Sequence, residues 1–414
     1  MTLRACVRLL SICFLFVALT IAAAQAVSIR HMQLLTSEEG WAATDHRLFW
    51  TSDGGGQWNK ITPRAAPSAG IVSVFFLDDL HGWILLSGDG SNGEALFNVA
   101  VTYDAGRTWS IMAVTIPGLD FETTTLVGGV GDIDFVDSVH GWMKSPILSS
   151  SNFRRGITVK TEDGGREWSQ LANDAGVAGS IRFINDRDGW LAGGPADQDL
   201  YVTRDSGNTW QRVSLEAPSQ TYPAVFPTCS VPIFEDAKHG FLPVTYSGLD
   251  TKGALVLFTT TDSGKTWAVD TIVHALEFLS PGQRVQSTVA DSAFVTAALS
   301  DLKDLTLTVA KAGNKTDVTA EGSLADSAVM KLSFVDSTQG WTLTSAGQLL
   351  STHDGGVSWT NITPGKQPTT TSSSFGPFPE ESVTQELNRS QSFASAVTSP
   401  VAAPTSLHVS QHLI

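Results

Sequence analysis

One eight-residue pattern, Thr-x-Asp-x-Gly-x-x-Trp, recurs six times in this chain, and that recurrence limits it to folds built from stacked, equivalent units. The copies read TSDGGGQW from Thr51, TYDAGRTW from Thr102, TEDGGREW from Thr161, TRDSGNTW from Thr203, TTDSGKTW from Thr260 and THDGGVSW from Thr352. Their aspartates, Asp53, Asp104, Asp163, Asp205, Asp262 and Asp354, stand 51, 59, 42, 57 and 92 residues apart. The last interval is close to two periods, so one unit without the motif is expected in LTLTVAKAGNKTDVTA, around Gly313. The period of about 50 residues is the size of a four-stranded blade.

A second pattern, Phe-x-Asp/Asn-x-x-x-Gly-Trp, runs in phase with the first. It appears as FLDDLHGW from Phe76, FVDSVHGW from Phe135, FINDRDGW from Phe183 and FVDSTQGW from Phe334. FEDAKHGF from Phe234 ends in Phe241, and LTSEEGW ending at Trp41 reads as a shorter form. Of the 12 tryptophans, six close the first motif and five the second, leaving only Trp50. Tryptophan therefore belongs to the repeat, which argues against an aromatic platform for stacking sugars or bases.

Each unit parses as four short strands; in the first they are IRHMQLL, GWAATD, RLFWTSD and QWNKIT, separated by polar turns. The Asp motif is the hairpin between the third and fourth strands. There glycine supplies a positive φ, the aspartate accepts turn amides, and the tryptophan pins the hairpin against its own blade. The Gly-Trp turn joins the first and second strands by the same logic. A lone unit cannot bury both faces, so the units must stack into a ring. The predicted fold is all-β: a single seven-bladed β-propeller of four-stranded blades over residues 27–364, six with recognisable Asp motifs and one degenerate.

The two ends of the chain read differently. Arg4 and Arg8 precede an apolar run from Leu9 to Ala24, and Ala24-Gln25-Ala26 offers a small-x-small cleavage site. Residues 1–26 are thus expected to be a secretory signal peptide, giving a secreted or periplasmic, envelope-associated protein with no stable membrane insertion after cleavage. Cys6 and Cys13 fall inside that segment, which leaves Cys229 without an internal disulfide partner. Residues 365–414 are rich in Ser, Thr and Pro with no period, and are expected to be a disordered tail. The formal charge of −15, from 26 basic and 41 acidic residues, argues against a nucleic-acid binder and against adsorption to anionic membranes.

Thr-x-Asp-x-Gly-x-x-Trp is the Asp-box, or BNR repeat, and six copies in register resemble the propellers of sialidases, sortilin-type receptors, xyloglucan hydrolases and photosystem II assembly factors. With the paired Gly-Trp turn, a single ring and a signal peptide, the chain is most similar to the photosystem II stability/assembly factor-like family (WD40/YVTN/BNR-like). The resemblance covers roughly residues 28–364 and does not extend to asserting a photosynthetic host. It implies a non-catalytic scaffold for a protein partner in the cell envelope, needing no cofactor and no metal. It also implies that the six Asp-box aspartates fasten turns and lie away from any ligand.

Both repeated turns fall on one face of the disc, so a site is expected on the other face, among the second-to-third loops and the blade connections. Arg154 and Arg155 form the only adjacent arginine pair there, and Tyr222, Tyr246 and Asp250 stand in neighbouring variable segments. A cationic pair with tyrosine and carboxylate suits an acidic partner. The alternative is an exo-acting, sialidase-like glycoside hydrolase or a glycan-binding propeller. It would draw on loop carboxylates such as Asp89, Glu94, Asp197 or Asp250 and needs them to converge in the central pit. No His-x-x-x-His, Cys-x-x-Cys or Gly-x-Ser-x-Gly spacing points to a metal site or a serine nucleophile.

Overall fold

The computed structural model describes residues 27–371 apart from 65–68, 88–96, 118–130, 148–154, 217, 219–225, 248–252, 277–285, 291–292, 300–304, 312–313, 323–328 and 366–368. At 196, 253, 273–276, 286–287, 289–290, 293–299, 305–311, 314–322 and 369–371 it describes the backbone alone. Apart from a 3-10 turn at Pro195–Asp197, every regular element among the described residues is a strand.

Blade I is an antiparallel meander of β1 (His31–Leu34), β2 (Glu39–Ala43), β3 (Leu48–Ser52) and β4 (Asn59–Lys60), in that spatial order. The same meander forms blade II (71–113), blade III (132–170), blade IV (179–212), blade V (226–276) and blade VI (329–371). Blade V breaks its first strand into Phe226–Cys229 and Ile233–Phe234, both paired with Gly240–Ser247. Blade VI gains a fifth strand, Thr369–Thr371, outside Trp359–Asn361.

The expectation of seven equivalent blades is corrected to six. The interval between Asp262 and Asp354 does contain a four-stranded antiparallel sheet, Gln286–Ala290 to Asn314–Gly322. It carries neither of the two turn motifs that the six blades share, so it does not count as a seventh equivalent unit. Counting by period alone could not separate a spacing from a packed unit.

The Asp-box forms the same hydrogen-bonded knot in all six blades. In blade I the Thr51 hydroxyl donates to Asp53 Oδ1 at 2.8 Å and accepts the Gly55 amide at 3.0 Å, while the Gln57 amide donates to Asp53 Oδ1 at 2.8 Å. Thr102, Thr161, Thr203, Thr260 and Thr352 repeat the hydroxyl bond at 2.8–2.9 Å. Two consecutive residues carry positive φ, as in Gly54 (69°) and Gly55 (101°); where the first of them is not glycine, Ala105, Ser206 and Ser263 take that conformation at 61–65°. The knot is also tied to the Gly-Trp turn of its own blade. The amides of Gly54, Ala105, Gly164, Ser206, Ser263 and Gly355 donate to the carbonyls of Glu38, Leu80, Val139, Arg187, Lys238 and Thr338. Both turns therefore do share one face.

These donors hold the carboxylates ionised: the Thr266 amide and hydroxyl bring Asp262 down to about 2 from 3.8. A folded pKa below the unfolded one gives stability that is complete above pH 3.8 and is lost as the pH falls through about 2. Acid titration followed by tryptophan fluorescence should therefore show the blades loosening between about pH 4 and 2. A transition centred above pH 5 would contradict this.

The Gly-Trp turn works differently from the expectation. None of Gly82, Gly141, Gly189, Gly240 and Gly340 has a positive φ. Each is glycine because a Cβ would overlap the ring of its own motif phenylalanine: Phe76, Phe135, Phe183, Phe234 and Phe334. The aspartate or asparagine two residues after that phenylalanine caps the turn, as Asp78 Oδ1 does for the Leu80 and His81 amides at 2.8 and 2.7 Å. Blade I has the motif at full length, not shortened: Leu34 takes the phenylalanine position. Thr36 Oγ1 stands in for the aspartate, accepting from Glu38 and Glu39 at 3.3 and 2.9 Å.

Blades are joined by the motif aromatics. Trp83 stacks on Phe135 of the next blade (4.0 Å, 11°) and Trp142 on Phe183 (3.5 Å, 6°), while Trp190 meets Phe234 at 4.7 Å. The indoles of Trp83 and Trp142 donate to the Asp-box carbonyls of Gly164 and Ser206 in those next blades, at 3.0 and 3.1 Å. Two Asp-box tryptophans reach the other way, into the preceding blade, whereas Trp168 Nε1 donates to Gly165 O of its own blade at 3.1 Å. Trp109 Nε1 donates to Ile61 O and Trp58 Nε1 to Ile362 O, both at 2.7 Å. The second of these closes blade VI onto blade I, helped by Leu34 N donating to Ser333 Oγ at 3.0 Å and by a shared core of Met32, Leu34, Trp341, Leu343 and Ile362. Whole blades meet at the closure. Trp50, outside both motifs, packs its ring 5.1 Å from Phe76.

Candidate functional site: the axial channel and the loop face

The first strand of each blade lies innermost, and its alternate residues turn toward the axis. His31, Ser73, Asp132, Asp134, Arg182 and Lys331 come together there from five blades. Ser73 Oγ donates to Asp132 Oδ1 at 3.3 Å. Asp134 is buried and committed: Arg182 Nη1 donates to its Oδ1 at 3.1 Å and the Phe183 amide to its Oδ2 at 2.7 Å. Burial pushes both carboxyls up, Asp134 to about 6, against the opposing pull of Arg182. Burial and the nearby Lys331 ammonium push His31 down to about 4, so it is neutral at pH 7. Lys331 keeps its side chain exposed to the channel solvent, yet desolvation by the surrounding channel wall lowers its pKa, with Asp132 opposing. The channel is thus a polar throat in which the two carboxyls of blade III face the cations Arg182 and Lys331.

Asp134 gives a pH effect opposite in sign to that of the Asp-boxes. A folded pKa of about 6, above the unfolded 3.8, means its contribution is complete below pH 3.8 and is lost as the pH rises through about 6. Asp134→Asn, which keeps an acceptor for the Phe183 amide, should remove the part of the stability change between pH 4 and 7 that this group carries. Denaturant melts at the two pH values check this, and parallel curves for parent and variant would contradict it.

On the loop face, the junction of blades III and IV is rigid. Lys144 Nζ, 1% exposed, donates to Asp174 Oδ2 at 3.0 Å and to Thr158 Oγ1 at 2.8 Å, and the Thr158 hydroxyl bonds Asp174 Oδ1 at 2.8 Å. Burial lowers the Lys144 pKa and Asp174 opposes it. This pair ties Asp174 of the 171–178 crossover to the strands Gly141–Pro146 and Gly156–Thr161. Arg155 itself is exposed, bridges Val177 through its backbone and accepts the Ile147 amide at 2.9 Å.

Of the other residues expected to bind, Arg154, Tyr222 and Asp250 lie outside the described residues, as do Asp89 and Glu94. Tyr246 is not on a loop. It sits in the strand Gly240–Ser247, 3% exposed, packed in the blade V core with Cys229 and Phe258, and burial raises its hydroxyl to about 12. Asp197 is likewise buried, at the end of the 3-10 turn with φ 58°. The axial groups went unnoticed because no motif contains them. Their signal is period-two alternation in the strand that opens each unit, as in Asp132-Ile133-Asp134 and Ser180-Ile181-Arg182. Among the described residues, no group of three His, Cys, Asp or Glu side chains is placed to hold a metal.

The family model described as photosynthesis system II assembly factor YCF48 matches residues 107–225, which hold blades III and IV. Among solved structures, YCF48 bound to a D1 peptide is 17% identical at a TM-score of 0.50, covering 79% of this chain and 94% of that one. The chain is a BNR-type β-propeller similar to YCF48. The GH74 xyloglucanase from Xanthomonas campestris matches at a TM-score of 0.51 and 14% identity, over 80% of this chain and 52% of that one. At such identities the likeness is one of fold. No curated protein sequence matches the chain.

Proposed function

We propose that this protein is a non-catalytic, protein-binding propeller of the assembly-factor-like kind, acting in the cell envelope after secretion, and that its loop face around Arg154 and Arg155 makes the contact. The observation that carries this reading is the exposed Arg155, bridged by its backbone to Val177 of the crossover that the buried Lys144–Asp174 pair anchors, inside the segment matched by the YCF48 model. A cation on a pre-organised platform loses little freedom on binding. The solved YCF48 with a D1 peptide supports a protein partner.

The glycosidase reading needs two free carboxyls facing a sugar. The axial channel offers Asp132 and Asp134, but Asp134 is tied to Arg182 and the Phe183 amide, leaving one carboxyl among cations. That arrangement suits binding better than acid–nucleophile chemistry. Affinity capture from an envelope extract of the source organism tests the proposal, comparing the parent with Arg154→Glu/Arg155→Glu by mass spectrometry. A protein kept by the parent and lost by the variant is the expected result. Equal capture by both would overturn the assigned surface. Turnover of chromogenic glycosides would overturn the non-catalytic reading.

A further inference from the structure

The turn face, opposite the loop face, is occupied by repeated motifs whose tip residues differ from blade to blade, so the repeat supplies its own internal control. Two positions before the motif glycine, the blades carry Glu38, Leu80, Val139, Arg187, Lys238 and Thr338. Only blades II and III, which are adjacent, place an aliphatic residue there. The second Asp-box position reads Ser52, Tyr103, Glu162, Arg204, Thr261 and His353, and the single aromatic is again in blade II. Leu80, Tyr103 and Val139 are 43%, 45% and 39% exposed, three of the most exposed large apolar side chains among the described residues.

The three are contiguous. The Tyr103 ring lies edge-on to His81, 5.7 Å between centroids, and its hydroxyl lies over Gly164 of blade III, 3.0 Å from where a Cβ on that glycine would stand. Gly164 in turn donates its amide to Val139 O, and Ala105, two residues from Tyr103, donates to Leu80 O. Asp-box and Gly-Trp turns fix every one of these backbones, so the patch is pre-formed and its exposure is not fraying.

Next to the apolar patch, on the blade I side, stand Asp79, Glu38 and Glu39. Among the described residues no ion pair joins any of the three to a cation, and the Glu39 carboxyl is raised by burial and then by the neighbouring charges of Asp79 and Glu38. Like charges crowded beside an exposed apolar surface favour a visitor that brings positive charge and an apolar anchor together.

We infer that Leu80, Tyr103 and Val139, with the carboxylates of Asp79, Glu38 and Glu39, form a second docking surface on the turn face for a protein segment carrying Lys or Arg beside a large apolar side chain. Such a surface lies on the opposite face from Arg155 and has the opposite charge, so one ring would hold two unlike partners.

The repeat also provides substitutions already accommodated by the fold. Leu80→Thr and Val139→Thr copy Thr338, Tyr103→Thr copies Thr261, and Asp79→Ser copies Ser138. Random dodecapeptides displayed on phage would be panned on the full chain. Enriched clones would then be rebound to the Leu80→Thr/Tyr103→Thr/Val139→Thr variant, to Asp79→Ser, and to Arg155→Glu as a control, with thermal melts confirming that each is folded. The expected pool pairs Lys or Arg with Trp, Phe or Leu. Its binding should fall at least tenfold on the triple variant, fall on Asp79→Ser in a salt-dependent way, and stay unchanged on Arg155→Glu. No enrichment over bare support, a pool without basic residues, or clones that bind the folded triple variant as well as the parent would each overturn the inference. None of these results depends on whether the loop face binds its own partner.

Discussion

Replacing Phe183 with alanine should cost the protein about 3–5 kcal/mol, the range for removing a fully buried aromatic. Phe183 is 1% exposed, stacked at 3.5 Å on Trp142 of blade III and edge-on to Trp210 of its own blade at 6.1 Å. Its loss empties the blade III–IV seam and removes the stacking partner of an indole whose N–H is already committed to Ser206 O. Phe334 is the natural control: its ring meets only Trp359 of its own blade, edge-on at 6.4 Å, among the ring contacts of the described residues. Phe334→Ala should therefore cost less, by roughly the 0.5–1.5 kcal/mol that a well-placed aromatic pair adds beyond burial. Denaturant melts of the two variants beside the parent decide the matter. Equal losses would show that the motif phenylalanine serves its own blade and does not join neighbours.

Asp174→Ala should be nearly as damaging, at about 3–5 kcal/mol, because it leaves the Lys144 ammonium buried without its counter-charge. Burial already lowers the Lys144 pKa, and only Asp174 and Thr158 accept from its Nζ among the described residues. The double variant Lys144→Met/Asp174→Ala should recover most of the loss, since replacing a buried pair by apolar groups is often close to neutral. A single variant as stable as the parent would show that the pair does not anchor the crossover next to Arg155. Recovery of stability without recovery of partner binding would show instead that the crossover matters through its shape.

The sequence made the hairpins legible because a turn is a local object. Thr51, Asp53 and Gly55 lie within five residues of one another, and their chemistry dictates the knot wherever the pattern stands. Contacts between blades were not legible in the same way. That Trp142 would meet Phe183, or Trp58 reach Ile362, depends on how one unit sits on the next. The glycine of the Gly-Trp turn looked like a positive-φ residue but answers to a phenylalanine ring folding back on it. Blade I hid its turn because Thr36 does by hydroxyl what Asp78 does by carboxylate, and a pattern of residue names does not register that equivalence. Tyr246 was misplaced for a related reason: the second strand of blade V runs on to Ser247, past the point where polar residues suggested a loop. The axial groups Asp132, Arg182 and Lys331 come from three blades, so no single stretch of sequence announces their meeting.

We propose that the partner captured from the envelope extract docks on the loop face, while the six Asp-box aspartates hold the ring. Hydrogen–deuterium exchange of the full chain, alone and with the protein it captures from the envelope extract, tests this directly. Slowed exchange at the 155–157 and 176–179 amides, with the Asp-box amides of Gly55, Gly106, Gly165, Gly207, Gly264 and Gly356 unchanged, is the predicted result. Protection at the Asp-boxes with the loop-face amides untouched would contradict it.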